Sequence, residues 1–171
     1  VGDPQQRFSE DALRMLRAIR FAAQLGFQIE PNTWTAIGRN APLLAEISLE
    51  RIQQELHRTL QSDRPDVGMR LLQESGLKKR IGPLSETADW PLDRLSSLRN
   101  VTEPASRWAI LFLLPQPHRA DIPRCAQQAA DVLRRMKYAR KLIASVQTCI
   151  ELYGALEERK NLRLLLLDHR D

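Results

Sequence analysis

The chain has 171 residues, 43% of them hydrophobic, which suffices for one medium domain or two small ones with a buried core. Its two cysteines, Cys125 and Cys149, lack CxxC spacing, which excludes a disulfide framework and a cysteine zinc site. No stretch approaches the roughly 18 apolar residues of a membrane span, and the N-terminal residues are too charged for a signal peptide. The cysteines read as reduced core thiols of a cytoplasmic protein. The formal charge of +5 is uneven: residues 1–61 hold seven basic and seven acidic side chains, residues 62–171 hold nineteen and fourteen. A basic second half suits an anionic partner, nucleic acid being the usual one, or else is a soluble basic surface. Val1 is not a start methionine, and the expectation is a segment of something longer.

The first predicted element is one helix over Arg7–Phe27, RFSEDALRMLRAIRFAAQLGF. Ser9 is its expected N-cap, and Glu10 and Asp11 occupy the first turn, where the helix dipole favours carboxylates. Gly26 stands where a left-handed cap ends a helix. At roughly 100° per residue, Glu10, Arg14, Arg17, Arg20 and Gln24 share one stripe. Asn32 is the expected cap of a second helix, Thr33–Arg39. Ser48 is that of a third, Leu49–Leu60, with Leu49, Ile52, Leu56 and Leu60 at helical spacing. Pro65 opens a further helix that Gly76 ends. LKKRIGP is a turn-rich connection, and Pro91–Leu98 and Pro104–Leu114 are two more helices. A long helical stretch follows from Pro123 to Gly154, with an interruption expected at Met136–Ala139, and Leu156–Leu167 is a last helix. No alternating strand is evident, so the expected class is all-α with two lobes and a boundary near residue 62.

The chain has no Gly-rich phosphate loop, and His57, His118 and His169 stand apart from one another and from cysteine pairs. The Asp63–Asp66 and Asp168–Asp171 acid pairs read as a helix cap and a terminus, so no metal site is expected. No catalytic set is expected either. What remains is the Glu10, Asp11, Arg14 cluster. From spacing alone, acids paired with arginines three and four residues on account for it.

The wider string resembles a region of the class II tRNA nucleotidyltransferases, the CCA-adding enzymes, and the related bacterial poly(A) polymerases. Their nucleotide-recognition motif E-D-x-x-R appears as Glu10, Asp11 and Arg14. Their E-R-I-x-x-E-L helix appears as Glu50, Arg51, Ile52, Glu55 and Leu56, in matching order and separation. The resemblance covers residues 1–82 most convincingly, and LRRMKYARKLI resembles the family's helical body with lower specificity. It implies an arrangement of head, neck, body and tail. Residues 1–61 would be the neck, and 62–171 an RNA-binding body with or without the start of the tail. The polymerase head, with its metal-binding aspartates and magnesium, is expected upstream of Val1, so this segment alone should be inactive.

The resemblance assigns CTP and ATP as nucleotides and tRNA as partner, with no oligomeric state implied. Cytosine and adenine both present an amino donor beside a ring-nitrogen acceptor. A carboxylate at Asp11 can accept from the first, and a guanidinium at Arg14 can donate to the second. Uracil and guanine reverse that order, and mismatched polar contacts in a dry pocket discriminate strongly. Glu10 would hold Arg14. Arg17 would approach the triphosphate or fix a neighbouring acid, and Arg7 and Arg20 are weaker candidates. Glu50 and Arg51 would steady the templating helix. Arg134, Arg135, Lys137, Arg140 and Lys141, with no acid between Val132 and Ile150, would track RNA phosphates or form a solvated face. Lys78, Lys79 and Arg80 form a smaller cluster with the same two readings. A poly(A) polymerase, a relative adding only A or only CC, and a non-catalytic RNA-binding helical module are the alternatives.

Overall fold

The structure, a computed structural model, describes residues 2–115 and 122–168, with side chains through 156. His118, and His169 to Asp171 of the last acid pair, lie outside the described residues. Every regular element among the described residues is helical.

The expected first helix is two helices. α1 (Pro4–Glu10) is capped by Asp3, whose side chain accepts from the Gln5 N–H. Asp11 then turns extended, at φ −151° and ψ 102°, and α2 (Leu13–Leu25) begins after it. The short polar side chain of Asp11 competes with the helical ladder: its Oδ1 accepts the Leu13 N–H at 3.1 Å. Phe8 and Ala12 are both buried and pin the two sides of the break. Ser9 therefore lies within α1 and caps nothing; its hydroxyl donates to the Gln6 carbonyl at 2.7 Å. Glu10 ends α1 instead of opening the next helix. Gly26 closes α2 at φ 71°, as its position implied.

α3 (Pro31–Asn40) is capped by Glu30, not Asn32; the Glu30 carboxylate accepts from Asn32 and Thr33 N–H at 2.9 and 2.8 Å. Pro31 at the first helical position sets the cap one residue before it. After a 3₁₀ segment, Ala41–Glu46, comes α4 (Leu49–Leu60). Ser48 holds its cap position, but its hydroxyl makes no capping bond. Ile52, Leu56 and Leu60 are buried, as their spacing predicts. α5 (Pro65–Glu74) crosses α2 and α4 at Gly68, where a Cβ would lie 2.3 Å from Thr59 Cγ2 and 3.2 Å from Ala23 Cβ. That close approach admits only glycine without movement of the neighbours.

The LKKRIGP connection is a 3₁₀ turn, Leu77–Arg80, followed by the short α6 (Gly82–Ser85). Lys78 does not belong to a surface cluster. It is 1% exposed, and its ammonium donates to the Thr87 and Ala88 carbonyls, each at 3.0 Å, with Asp89 at 3.3 Å. Burial drives its pKa down while Asp89 opposes the shift. It is a structural clamp on the loop that leads to buried Trp90.

A 3₁₀ stretch, Leu92–Asn100, stands where a helix was expected. It leads to α7 (Pro104–Leu113), α8 (Ile122–Arg135) and α9 (Arg140–Asp168). The break after Arg135 falls where the sequence implied, and Lys137 takes a left-handed φ of 64°. α9 runs on through Gly154 as one helix instead of restarting at Leu156. A Cβ at Gly154 would lie 2.9 Å from Ile122 Cγ2, so glycine is used there for helix packing, not for termination. One apolar core extends from Phe8 on α1 to Ile150 on α9.

Candidate functional site

The break between α1 and α2 shapes the site. Asp11 leaves the helical path, so its carboxylate faces a cleft of about 360 Å³ shared with Glu10, Leu43, Glu46, Ile47 and Arg51. Arg51, on α4, reaches it from 40 residues away: its Nη2 lies 3.2 and 3.4 Å from the two Asp11 oxygens. With Leu13 N–H on Oδ1, the carboxylate is oriented from two sides. It keeps acceptor capacity, because a carboxylate offers about four lone-pair sites. The Asp11 side chain is 29% exposed, so it is neither closed off nor free to rotate in solvent.

Arg14 follows in the first turn of α2 and does not line the cleft. Its guanidinium is 41% exposed and lies 3.8 Å from Glu10, which itself bonds Arg7 at 3.0 Å. Most of its N–H groups are uncommitted. Arg17 is exposed and has no ionic or hydrogen-bonded partner among the described residues.

Arg20 does not continue this exposed set. Its Nε donates to Glu55 at 2.7 Å, with the two side chains 11% and 7% exposed. Its Nη1 donates to Gln24 at 2.9 Å, and its guanidinium lies 4.3 Å from the centre of the Phe21 ring. This near-buried pair fixes α2 on α4, and nothing in the spacing of either helix identified Glu55 as its partner. Glu50, in contrast, is exposed on α4 and forms no ion pair or hydrogen bond among the described residues. Of the two residues expected to support the recognition helix, only Arg51 contacts it. Glu55→Gln should lower stability by about 2 kcal/mol, because it leaves Arg20 with a buried charge and a weaker partner. Glu50→Gln should stay within about 0.5 kcal/mol of the parent. Urea unfolding of the two variants side by side checks both expectations.

The basic run at the α8–α9 turn divides in two. Arg134 bonds Asp131 at 2.6 Å, and Arg135 meets Glu86 through two bonds of 2.6 Å each. Arg135 holds the Glu86 carboxyl below its usual range, and Glu86 raises the Arg135 pKa in turn. Lys137, Arg140 and Lys141 are exposed and have no acid partner among the described residues.

No group of three or more His, Cys, Asp or Glu side chains among the described residues is placed to hold a metal ion. No helix among them is long and apolar enough to cross a membrane.

Residues 26–88 match a family model described as the probable RNA and SrmB-binding site of polymerase A. The CCA-adding enzyme of Geobacillus sp. (strain WCH70) is 37% identical over 154 residues, covering 89% of this chain and 36% of that enzyme. The CCA-adding enzyme of Limosilactobacillus reuteri (strain DSM 20016) is 36% identical over 161 residues, covering 93% of this chain and 38% of that enzyme. Among solved structures, the Bacillus stearothermophilus CCA-adding enzyme in complex with CTP superposes with a TM-score of 0.71 at 29% identity. It covers 90% of this chain and 37% of that one. The chain thus spans less than two fifths of the length of these relatives. Two sequence motifs, the all-helical architecture and these similarities agree, and the chain belongs to the family of CCA-adding tRNA nucleotidyltransferases and bacterial poly(A) polymerases, as part of its helical neck and body.

Proposed function

We propose that the chain is the nucleotide-selecting and tRNA-binding portion of a cytoplasmic CCA-adding tRNA nucleotidyltransferase, with the neck in residues 1–61 and the body in 62–171. The observation that carries this is the placement of two side chains, three positions apart, at the α1–α2 break. Asp11 is an oriented, partly exposed acceptor, and Arg14, one turn on, is a half-exposed donor with free N–H groups. An acceptor next to a donor matches the amino group and ring nitrogen of cytosine and of adenine. In this reading Arg51 keeps the Asp11 carboxylate aimed, Glu10 restrains Arg14, and Arg17 faces the triphosphate. The residues take no part in bond breaking: they bind and orient the incoming CTP or ATP.

Magnesium, when bound in such an enzyme, would supply charge neutralisation for the transfer. The described residues gather no carboxylate set for it, so it is assigned to the head of the complete enzyme. Arg134, Arg135, Lys137, Arg140 and Lys141 would meet tRNA phosphates. The decisive experiment offers the complete enzyme a tRNA ending before CCA with each nucleotide separately and together. Ordered incorporation of two C and one A is expected. Long runs of A without use of CTP would establish the poly(A) polymerase reading instead. No incorporation, with RNA binding kept, would leave a binding module.

A further inference from the structure

We propose that His57 is a proton-sensitive latch between α4 and the α8–α9 turn. Neutral, it packs against Tyr138 and the seam is closed; protonated, it leaves its seat and the turn comes away from α4. The latch concerns the joint between the 1–61 and 62–171 regions and does not depend on the functional reading above.

The seam is built from a few contacts. The Tyr138 hydroxyl donates to the Gln53 carbonyl at 3.4 Å, and the ring centres of His57 and Tyr138 lie 6.1 Å apart. Trp108, on α7, also meets the Tyr138 ring, edge-on, with the centres 5.5 Å apart. Trp108 and Tyr138 are buried, whereas His57 is partly exposed and has a way out to water. One polar atom of its ring is hidden all the same: Nδ1 is buried and has no hydrogen-bond partner. In the neutral ring Nδ1 can stay unprotonated, an idle acceptor at modest cost. Protonation makes it an N–H on a charged ring with nothing to receive it, which costs far more. Swinging into solvent removes that penalty, so the proton and the seat compete for His57.

The charged groups on the packed elements do not offset that cost. On α4, Glu55 is held by Arg20 of α2, and Arg58 is a further cation. On α5, which packs on α4, Asp66 is bonded to Arg99 at 2.7 Å. On α7, Arg107 donates to the Leu60 and Ser62 carbonyls, and Asp63 lends its field to Arg107. The negative end of the α4 dipole, which favours a cation in this last turn, is therefore already occupied. On the turn, Lys137, Arg140 and Lys141 are exposed cations, and burial pushes the Tyr138 phenol up, so it stays neutral. His57 forms no ion pair among the described residues, and burial holds its pKa below the ordinary 6.5. The seated ring thus binds fewer protons than one in water. The closed seam keeps its full stability above pH 6.5 and weakens as pH falls below that value, by at most about tenfold per pH unit, until the seated ring itself takes the proton. Arg107 still ties the end of α4 to α7, so the opening is local to the turn.

The test follows the full chain from about pH 7.5 to about pH 5.5 by NMR and by amide hydrogen exchange. The His57 ring should titrate below the ordinary imidazole range, with the Tyr138 ring signals shifting at the same midpoint. The Lys137 and Tyr138 N–H groups donate to the Arg134 and Leu133 carbonyls. They should open about tenfold more at the lower pH, once the intrinsic pH dependence of exchange is removed. The N–H of Ile19, deep in the core, should keep its protection. His57→Phe preserves an aromatic ring against Tyr138 and takes no proton, so the pH dependence at the turn should vanish. A His57 midpoint at or above 6.5, silent Tyr138 signals, or equal loss of protection in wild type and variant would overturn the latch. So would loss of protection at Ile19 along with the turn, which would mean overall unfolding in acid. The NMR titration needs no substitution, so it decides the matter even where His57→Phe does not fold.

Discussion

Replacing Arg107 by methionine is expected to lower the unfolding free energy by about 3–5 kcal/mol, far more than an ordinary polar substitution. The side chain is buried at 5% exposure. Its Nε donates to the Val101 carbonyl at 2.7 Å, and its Nη1 donates to the carbonyls of Leu60 and of Ser62, the latter at 3.1 Å. Leu60 ends α4, where helix carbonyls lack intrahelical partners. Arg107 thus serves as the C-terminal cap of α4 from a position 47 residues further along the chain. Burial lowers its pKa, and the field of Asp63 works the other way. Methionine fits the volume but supplies no N–H, so it strands these carbonyls in the interior. The check is equilibrium unfolding in urea: the midpoint should fall with the slope unchanged. For a chain of this size the melting temperature should drop on the order of 10 °C. A loss below about 1 kcal/mol would mean that water reaches the joint and replaces the guanidinium. The bonds also cross residue 62, where the sequence suggested a boundary between lobes, so the same variant tests whether the two regions unfold together.

What could be read from the chain beforehand depended on how far apart the interacting residues lie. Apolar periodicity located α4 and α5, because Ile52, Leu56, Met69 and Leu72 signal their burial within a few residues of one another. Gly26 and Gly76 marked helix ends for the same local reason. The break at Asp11 was hidden. Helix-forming residues surround it, and only the competition between its side chain and the ladder, settled by burial of Phe8 and Ala12, splits the segment. Lys78 looked like surface because the carbonyls that bury it come from Thr87 and Ala88. The Glu10, Asp11, Arg14 motif was legible as a pattern of residue types. The family resemblance set out Glu50, Arg51 and Glu55 on one helix and gave the supporting role to Glu50 and Arg51, but not to Glu55, which holds Arg20 from 35 residues away; Arg107 likewise acts on a partner 47 residues away. Pairings of that kind are set by the packing of helices, which no local spacing encodes.

The largest functional effect is expected at the pair itself. In the complete enzyme, Arg14→Ala should lower kcat/KM for CTP and ATP by about 10²–10³, the loss of one charge-assisted bond together with an unpaired polar atom on the base. RNA affinity should change little if Arg14 meets the base and not phosphate, as proposed. Asp11→Asn is the sharper probe. The amide is nearly isosteric and still accepts, but it can also donate, and it loses the ionic attraction of Arg51. A side chain able to donate no longer rejects a carbonyl, so discrimination against UTP should fall further than activity toward CTP. Arg51→Ala should give a weaker version of the same change, since the Leu13 N–H still holds one Asp11 oxygen. The measurement is kcat/KM for all four nucleotides with each variant. A loss shared equally by all four would show that the pair only maintains the fold of the α1–α2 break. A selective loss for C and A with relaxed rejection of U is what a protein surface reading a base edge must produce, because the two contacts are then made with the correct base and inverted with the wrong one.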